Sequence, residues 1–132
     1  MALNPSFAAT PRIGSVALSS SADTSYTAPT NVVTVITGVT AGTRIGEVTV
    51  QMTGTVSAAT MVRLWLFDST GSGTYYLFDE IPIAAATGSQ SVRQTRVSTS
   101  YANLVLPGSN WSLRATVHTV NAGVVMAFGA DL

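Results

Sequence analysis

The sequence predicts an all-β fold: an antiparallel β-sandwich or barrel of jelly-roll type, with eight or nine short strands and an extended N-terminal arm. Three observations predict it. Ser and Thr are abundant, and Val outnumbers Glu, Lys and Gln; β-branched side chains fit a pleated surface and lose freedom in a helix. Glycines and prolines interrupt the chain at short intervals, as turns do in a many-stranded antiparallel protein. No window sets apolar residues at i, i+3, i+4 and i+7 over three turns.

Residues 1–12 are expected to form the arm, because Asn4-Pro5-Ser6 and Thr10-Pro11 favour extended or turning backbone. A single β domain, residues 13–132, follows. A first strand is expected at Ile13–Leu18, then a polar loop at Ser19–Asp23 and an irregular segment at Tyr26–Asn31. Val32–Thr37 is a β-branched run. Thr43–Thr53 alternates, with Val48, Val50 and Met52 on one face and Glu47, Thr49 and Gln51 on the other. Ile45 is out of phase with that set, so a bulge or kink is expected at Gly46.

Met61–Phe67 and Tyr75–Ile81 flank the small-residue turn Asp68–Gly73 and predict a hairpin. Both faces of both strands carry large apolar groups. One face meets the core; a neighbouring subunit or the arm is expected over the other. Pro82 is expected to end the second strand. The loop 84–88 has room for one helical turn. Ser91–Ser98 and Tyr101–Leu106 read as two strands, the latter stopped by Pro107-Gly108. Trp111–Val117 points Trp111, Leu113, Ala115 and Val117 inward and Ser112, Arg114, Thr116 and His118 outward. Val124–Phe128 is the last strand.

Composition narrows function. The 132 residues are 46% apolar, enough for a core, but only 9% charged. Six arginines and no lysine balance six acids at zero net charge. Scattered, matched cations argue against a phosphate backbone as partner, so no nucleic acid is expected. A neutral surface favours self-association, and arginine without lysine suits protein interfaces. Without cysteine there is neither a disulfide nor a thiolate metal site. No signal peptide and no membrane span are expected.

Catalytic readings are weak. His118 is the lone histidine and lacks evident partners for base or metal chemistry. Asp68, Asp79 and Glu80 lack calcium-loop spacing and are expected to pair with arginine or cap strand ends. Gly71-Ser72-Gly73 precedes a strand, so it lacks the helix N-terminus of a phosphate loop. The expectation is a non-enzyme without cofactor or metal. The residues singled out for partner contact are Phe7, Arg12, Arg63, Arg93 and Arg96.

Several blocks resemble small virion structural proteins of tailed bacteriophages. They are Thr27-Ala-Pro-Thr-Asn31 with Val32-Val33, Arg44-Ile45, Met61-Val-Arg-Leu-Trp-Leu-Phe67 and Leu77-Phe-Asp-Glu-Ile-Pro82. Leu106-Pro107, Trp111-Ser-Leu-Arg-Ala115 with His118, and Gly129-Ala-Asp131 continue the likeness. The resemblance implies a virion protein and no catalytic residues. With the size, neutrality and arm, it leads to a capsid decoration, or cement, protein on the outer surface of the head. Its partner would be the major capsid protein, and its own state a homotrimer. The alternative is a tail or fibre component that recognises host glycans through Trp65, Tyr75 or Tyr76.

Overall fold

The computed structural model describes residues 10–132, and these hold eight strands and no helix. They are β1 (Thr10–Ala17), β2 (Val33–Thr37), β3 (Thr43–Met52), β4 (Thr60–Asp68), β5 (Thr74–Ile83), β6 (Arg96–Leu106), β7 (Trp111–Val117) and β8 (Gly123–Asp131). Two antiparallel sheets pack as a sandwich, in the orders β1-β8-β3-β6 and β2-β7-β4-β5. Only β4 and β5 are both consecutive and paired, so the hairpin read from the sequence is the one local pairing. Every other connection between consecutive strands crosses from one sheet to the other.

Alternation places the core. Ile45, Val48 and Val50 of β3, Val62 and Leu64 of β4, Leu113, Ala115 and Val117 of β7, and Val125 and Ala127 of β8 are fully buried. They belong to one cluster drawn from both sheets. Each larger aliphatic side chain so buried contributes roughly 1.5–3 kcal/mol. The β4–β5 turn needs glycine where the chain enters the left-handed region, at Gly71 (φ 68°) and Gly73 (φ 85°).

Several elements differ from the sequence reading. β1 begins at Thr10, so Thr10, Pro11 and Arg12 are sheet residues paired with Asp131, Ala130 and Gly129 rather than arm. Residues 1–9 of the expected arm, Phe7 among them, lie outside the described residues. β5 continues through Pro82 to Ile83. It is an edge strand, where a missing N–H costs no ladder bond. The loop at 84–88 carries a β-bridge, Val56 to Ala86, instead of a helical turn.

The two strands expected between Ser91 and Leu106 are one, β6, preceded by a loop closed between Ser89 and Val92. Its apparent break is a register shift. Ile45 pairs with Leu104 and Glu47 with Ser100, so Tyr101–Asn103 stand opposite Gly46 alone. The same point adds one residue to β3 against β8, where Ile45 pairs with Gly129 and Glu47 with Phe128. The bulge or kink expected at Gly46 is a bulge felt by both neighbours of β3. Tyr101, at the β6 bulge, reaches β5: its ring lies 5.0 Å from Phe78 and its hydroxyl donates to Asp79 Oδ2 at 2.7 Å. Burial, and then the Asp79 carboxylate, push this phenol's pKa upward.

Candidate functional site

The outer face of the β2-β7-β4-β5 sheet holds a polar cluster, and a loop builds it. Between β1 and β2 the chain is tied to β7 by Asp23 N–H donating to Val117 O at 2.9 Å. The Asp23 carboxylate then organises the loop. Oδ1 accepts the Ser25 N–H at 2.9 Å, and Oδ2 accepts the N–H groups of Thr30 at 2.7 Å and Asn31 at 2.9 Å. An acidic side chain bonding backbone a few residues on is Asx-turn chemistry, and it lets a loop hold shape without strand pairing.

That loop lays the Tyr26 ring over Arg63 of β4, whose guanidinium carbon sits 4.1 Å from the ring centroid. Arg63 is 1% exposed. Its Nε donates to Glu80 Oε1 on β5 at 2.9 Å, and Nη1 donates to the Asp23 carbonyl at 3.4 Å. Both η nitrogens lie 3.3 Å from His118 Nδ1. A guanidinium only donates, so Nδ1 accepts in this arrangement and the imidazole proton sits on Nε2. Beside the cluster lies an open depression of about 550 Å³, walled mainly by Tyr26, Met61, Arg63, Pro82, Ile83 and His118.

This arrangement revises two sequence readings. Arg63 and Trp65 do alternate outward from β4, yet both are buried. Among the described residues, the cover over Arg63 is the chain's own β1–β2 loop. Trp65 is fully buried beside Tyr75, 6.1 Å away edge to face, and donates Nε1–H to Thr116 Oγ1 at 3.0 Å. Arg114 stacks 3.9 Å from the Phe67 ring and donates to the Tyr75 hydroxyl at 2.9 Å. Of the three aromatics expected to offer a glycan groove, Trp65 is thus sealed and Tyr75 engaged. Tyr76 is 50% exposed and stacks on Trp111 at 6.0 Å.

Of the five residues singled out for partner contact, the four that lie in the described residues are not brought together. Phe7 lies outside the described residues. Arg12 is used inside the chain: Nη1 donates to Thr37 O at 2.8 Å and pairs with Asp131 at 3.0 Å, clamping β1 to the opposite sheet. Arg63 is enclosed. Arg93, in the loop before β6, and Arg96, at its start, are exposed. Asp23 and Tyr26 were missed. The signal for Asp23 was present in Asp23-Thr24-Ser25, an Asx-turn pattern. Nothing local marks Tyr26 as the lid of Arg63.

The contacts of the cluster hold the β1–β2 loop against β4 and β5. Among the described residues no three His, Asp or Glu side chains converge as a metal site would require. The chain matches no protein-family model, and no curated protein matches it in sequence.

Asp23 makes the loop pH-dependent. Burial alone would raise its pKa, but the hydrogen bonds from Asn31, Thr30 and Ser25 prevail and lower it below the usual aspartate value. A carboxyl depressed by folding contributes stability above its unfolded pKa, about 3.9, and loses it as pH falls through the folded value. Asp23→Asn is therefore expected to cost about 2 kcal/mol at pH 7. In urea titrations at a series of pH values the gap to the parent should narrow below about pH 4. A gap that stays constant down to pH 2 would contradict this account.

Proposed function

We propose that the protein is a non-enzymatic capsid decoration protein of a tailed bacteriophage, seated on the outside of the head and bound to the major capsid protein. The observation that carries the reading is the strand order. The pairings β1 with β8, β2 with β7, β3 with β6 and β4 with β5 are those of one long antiparallel ribbon folded over on itself. This supports the jelly-roll form of the sandwich, a form that recurs in viral capsid and lectin domains. A fold alone does not assign a role. The neutral, lysine-free composition adds support, since protein interfaces are depleted in lysine.

Decoration stabilises by mass action: a ligand that binds only the assembled shell raises the shell's stability. The exposed Arg93 and the segment 1–9 that precedes β1 are the contacts this reading assigns to the capsid. The homotrimer had two grounds, low charge and the doubly apolar hairpin. The loop over Arg63 weakens the second, and low charge favours self-association without fixing the number of copies.

The test is binding of the purified chain to undecorated heads of the same virus. Saturable occupancy and a raised disruption temperature are expected, and both should fall for Arg93→Glu and for a chain lacking residues 2–9. Heads that take up no protein would overturn the reading. The second reading, glycan recognition at a tail or fibre, rests on the exposed Tyr76 stacked on Trp111. Clear hits on a glycan array, lost in Tyr76→Ala, would favour it instead.

A further inference from the structure

The outer face of the β1-β8-β3-β6 sheet carries an apolar stripe. Val124, Met126 and Phe128 alternate with the buried Val125 and Ala127, so they project outward, and each is only partly buried. Ile13 beside them on β1 is 69% exposed. The registers lay this face out in rows across the four strands. Ile13, Phe128, Glu47 and Ser100 form one row; Ser15, Met126, Thr49 and Ser98 the next; Ala17, Val124, Gln51 and Arg96 the third. Rows on one face are about 6.8 Å apart, two residues of strand.

The layout is self-complementary in two independent ways. The first row is bulky where the third is small: Ile13 and Phe128 against Ala17 and Val124. The first row carries an acid, Glu47, and the third carries a base, Arg96, on the adjacent strand. Thr49 donates to Glu47 Oε1 at 3.3 Å, and Oε2 has no hydrogen-bond partner among the described residues. Arg96 donates no side-chain hydrogen bond among the described residues.

We infer that two copies of this chain pair face to face through this sheet, about a two-fold axis that crosses the strands at Met126. Such an axis keeps each strand opposite its own copy and reverses the rows. Met126 meets Met126 in the centre. Ile13 and Phe128 of each copy fill the space over Ala17 and Val124 of the other. Glu47 of each copy lies over Gln51 and one strand from Arg96 of the other, which gives two ion pairs. Sheets pack about 10 Å apart, a gap that a Glu and an Arg side chain together span. An axis along the strands would instead set an apolar strand over polar β3: β8 if it runs at the sheet centre, β1 if it runs along β8. The isologous pairing is the usual form of a two-fold interface, and zero net charge offers no repulsion against it. The inference does not depend on decoration; a dimer can form whether or not a shell binds it.

Sedimentation equilibrium of the full chain from about 1 µM to about 500 µM tests it, a span that covers weak interfaces. A monomer–dimer equilibrium is expected. Glu47→Arg and Arg96→Glu should each weaken it about tenfold, since each change removes both ion pairs and sets like charges together. The double variant should recover most of the loss, which misfolding could not mimic. Monomer at every concentration, a trimer, or a dimer indifferent to both charge reversals would overturn the inference.

Discussion

Arg63→Ala is expected to destabilise the protein by about 3 kcal/mol, read as a lower urea midpoint with unchanged slope. Four losses combine in it. The side chain fills space under Tyr26 that alanine leaves empty. Glu80 loses the 2.9 Å partner that holds it against the sheet. Its side chain is 36% exposed, so water recovers part of that charge's solvation and keeps the cost near the lower end of the range for buried pairs. The Asp23 carbonyl and His118 Nδ1 lose their donor. The loop from β1 to β2 loses a main tie to β4, so limited proteolysis within residues 19–31 should accelerate before global unfolding does. Arg63→Lys should recover little, because an ammonium lacks the planar fork that reaches Glu80, Asp23 and His118 together and stacks under the ring. Arg63→Met combined with Glu80→Gln should recover more, since removing both charges leaves no unpaired ion. If alanine at position 63 leaves both the midpoint and the loop cleavage rate unchanged, the cluster is ornamental.

Such a cluster was half legible from the sequence. Alternation placed Arg63 on the outer face of its strand, and the outer face is where it lies. Periodicity does not say what lies above a face. The cover is a loop 31 to 45 residues earlier in the chain, held by one aspartate. The same limit explains the strand partners. Val48, Val50 and Met52 were readable as core because a period of two fixes the face. That β3 lies between β8 and β6 was not, because those pairings join residues far apart in sequence. The β4–β5 hairpin was legible for the opposite reason: its turn is local. The β6 case is instructive. The sequence signal of a break between Ser98 and Tyr101 marked a real irregularity, but a bulge accommodates it without leaving the sheet. Outward-facing polar residues are not always exposed. Thr49 and Thr116 are fully buried on outer faces because a central strand has long neighbours on both sides.

Gly129→Ala is expected to have a comparable or larger effect, about 3 kcal/mol or more, with soluble yield falling sharply. A β-carbon at position 129 would run into the carbonyl oxygen of Arg44, and would lie 2.9 Å from that carbonyl carbon and 3.0 Å from Ile45 Cα. These are backbone atoms of the central strand β3, so no side-chain rotation relieves the collision. The close approach follows from the bulge. β3 takes an extra residue at Gly46, and Gly129 is the partner of Ile45 at that point. The glycine usually credited in such a bulge is the one in the bulged strand, and here the comparison is informative. A β-carbon on Gly46 meets nothing nearer than the Phe128 carbonyl oxygen at 3.9 Å, and Gly46 is not in the left-handed region. Gly46→Ala should therefore stay within about 0.5 kcal/mol of the parent. Thermal unfolding of the two alanine variants side by side distinguishes a bulge that depends on the flexibility of its own strand from one that depends on room made by its neighbour. If Gly46→Ala proves the more damaging, the strand would need glycine for its own conformation; the geometry places that need on β8.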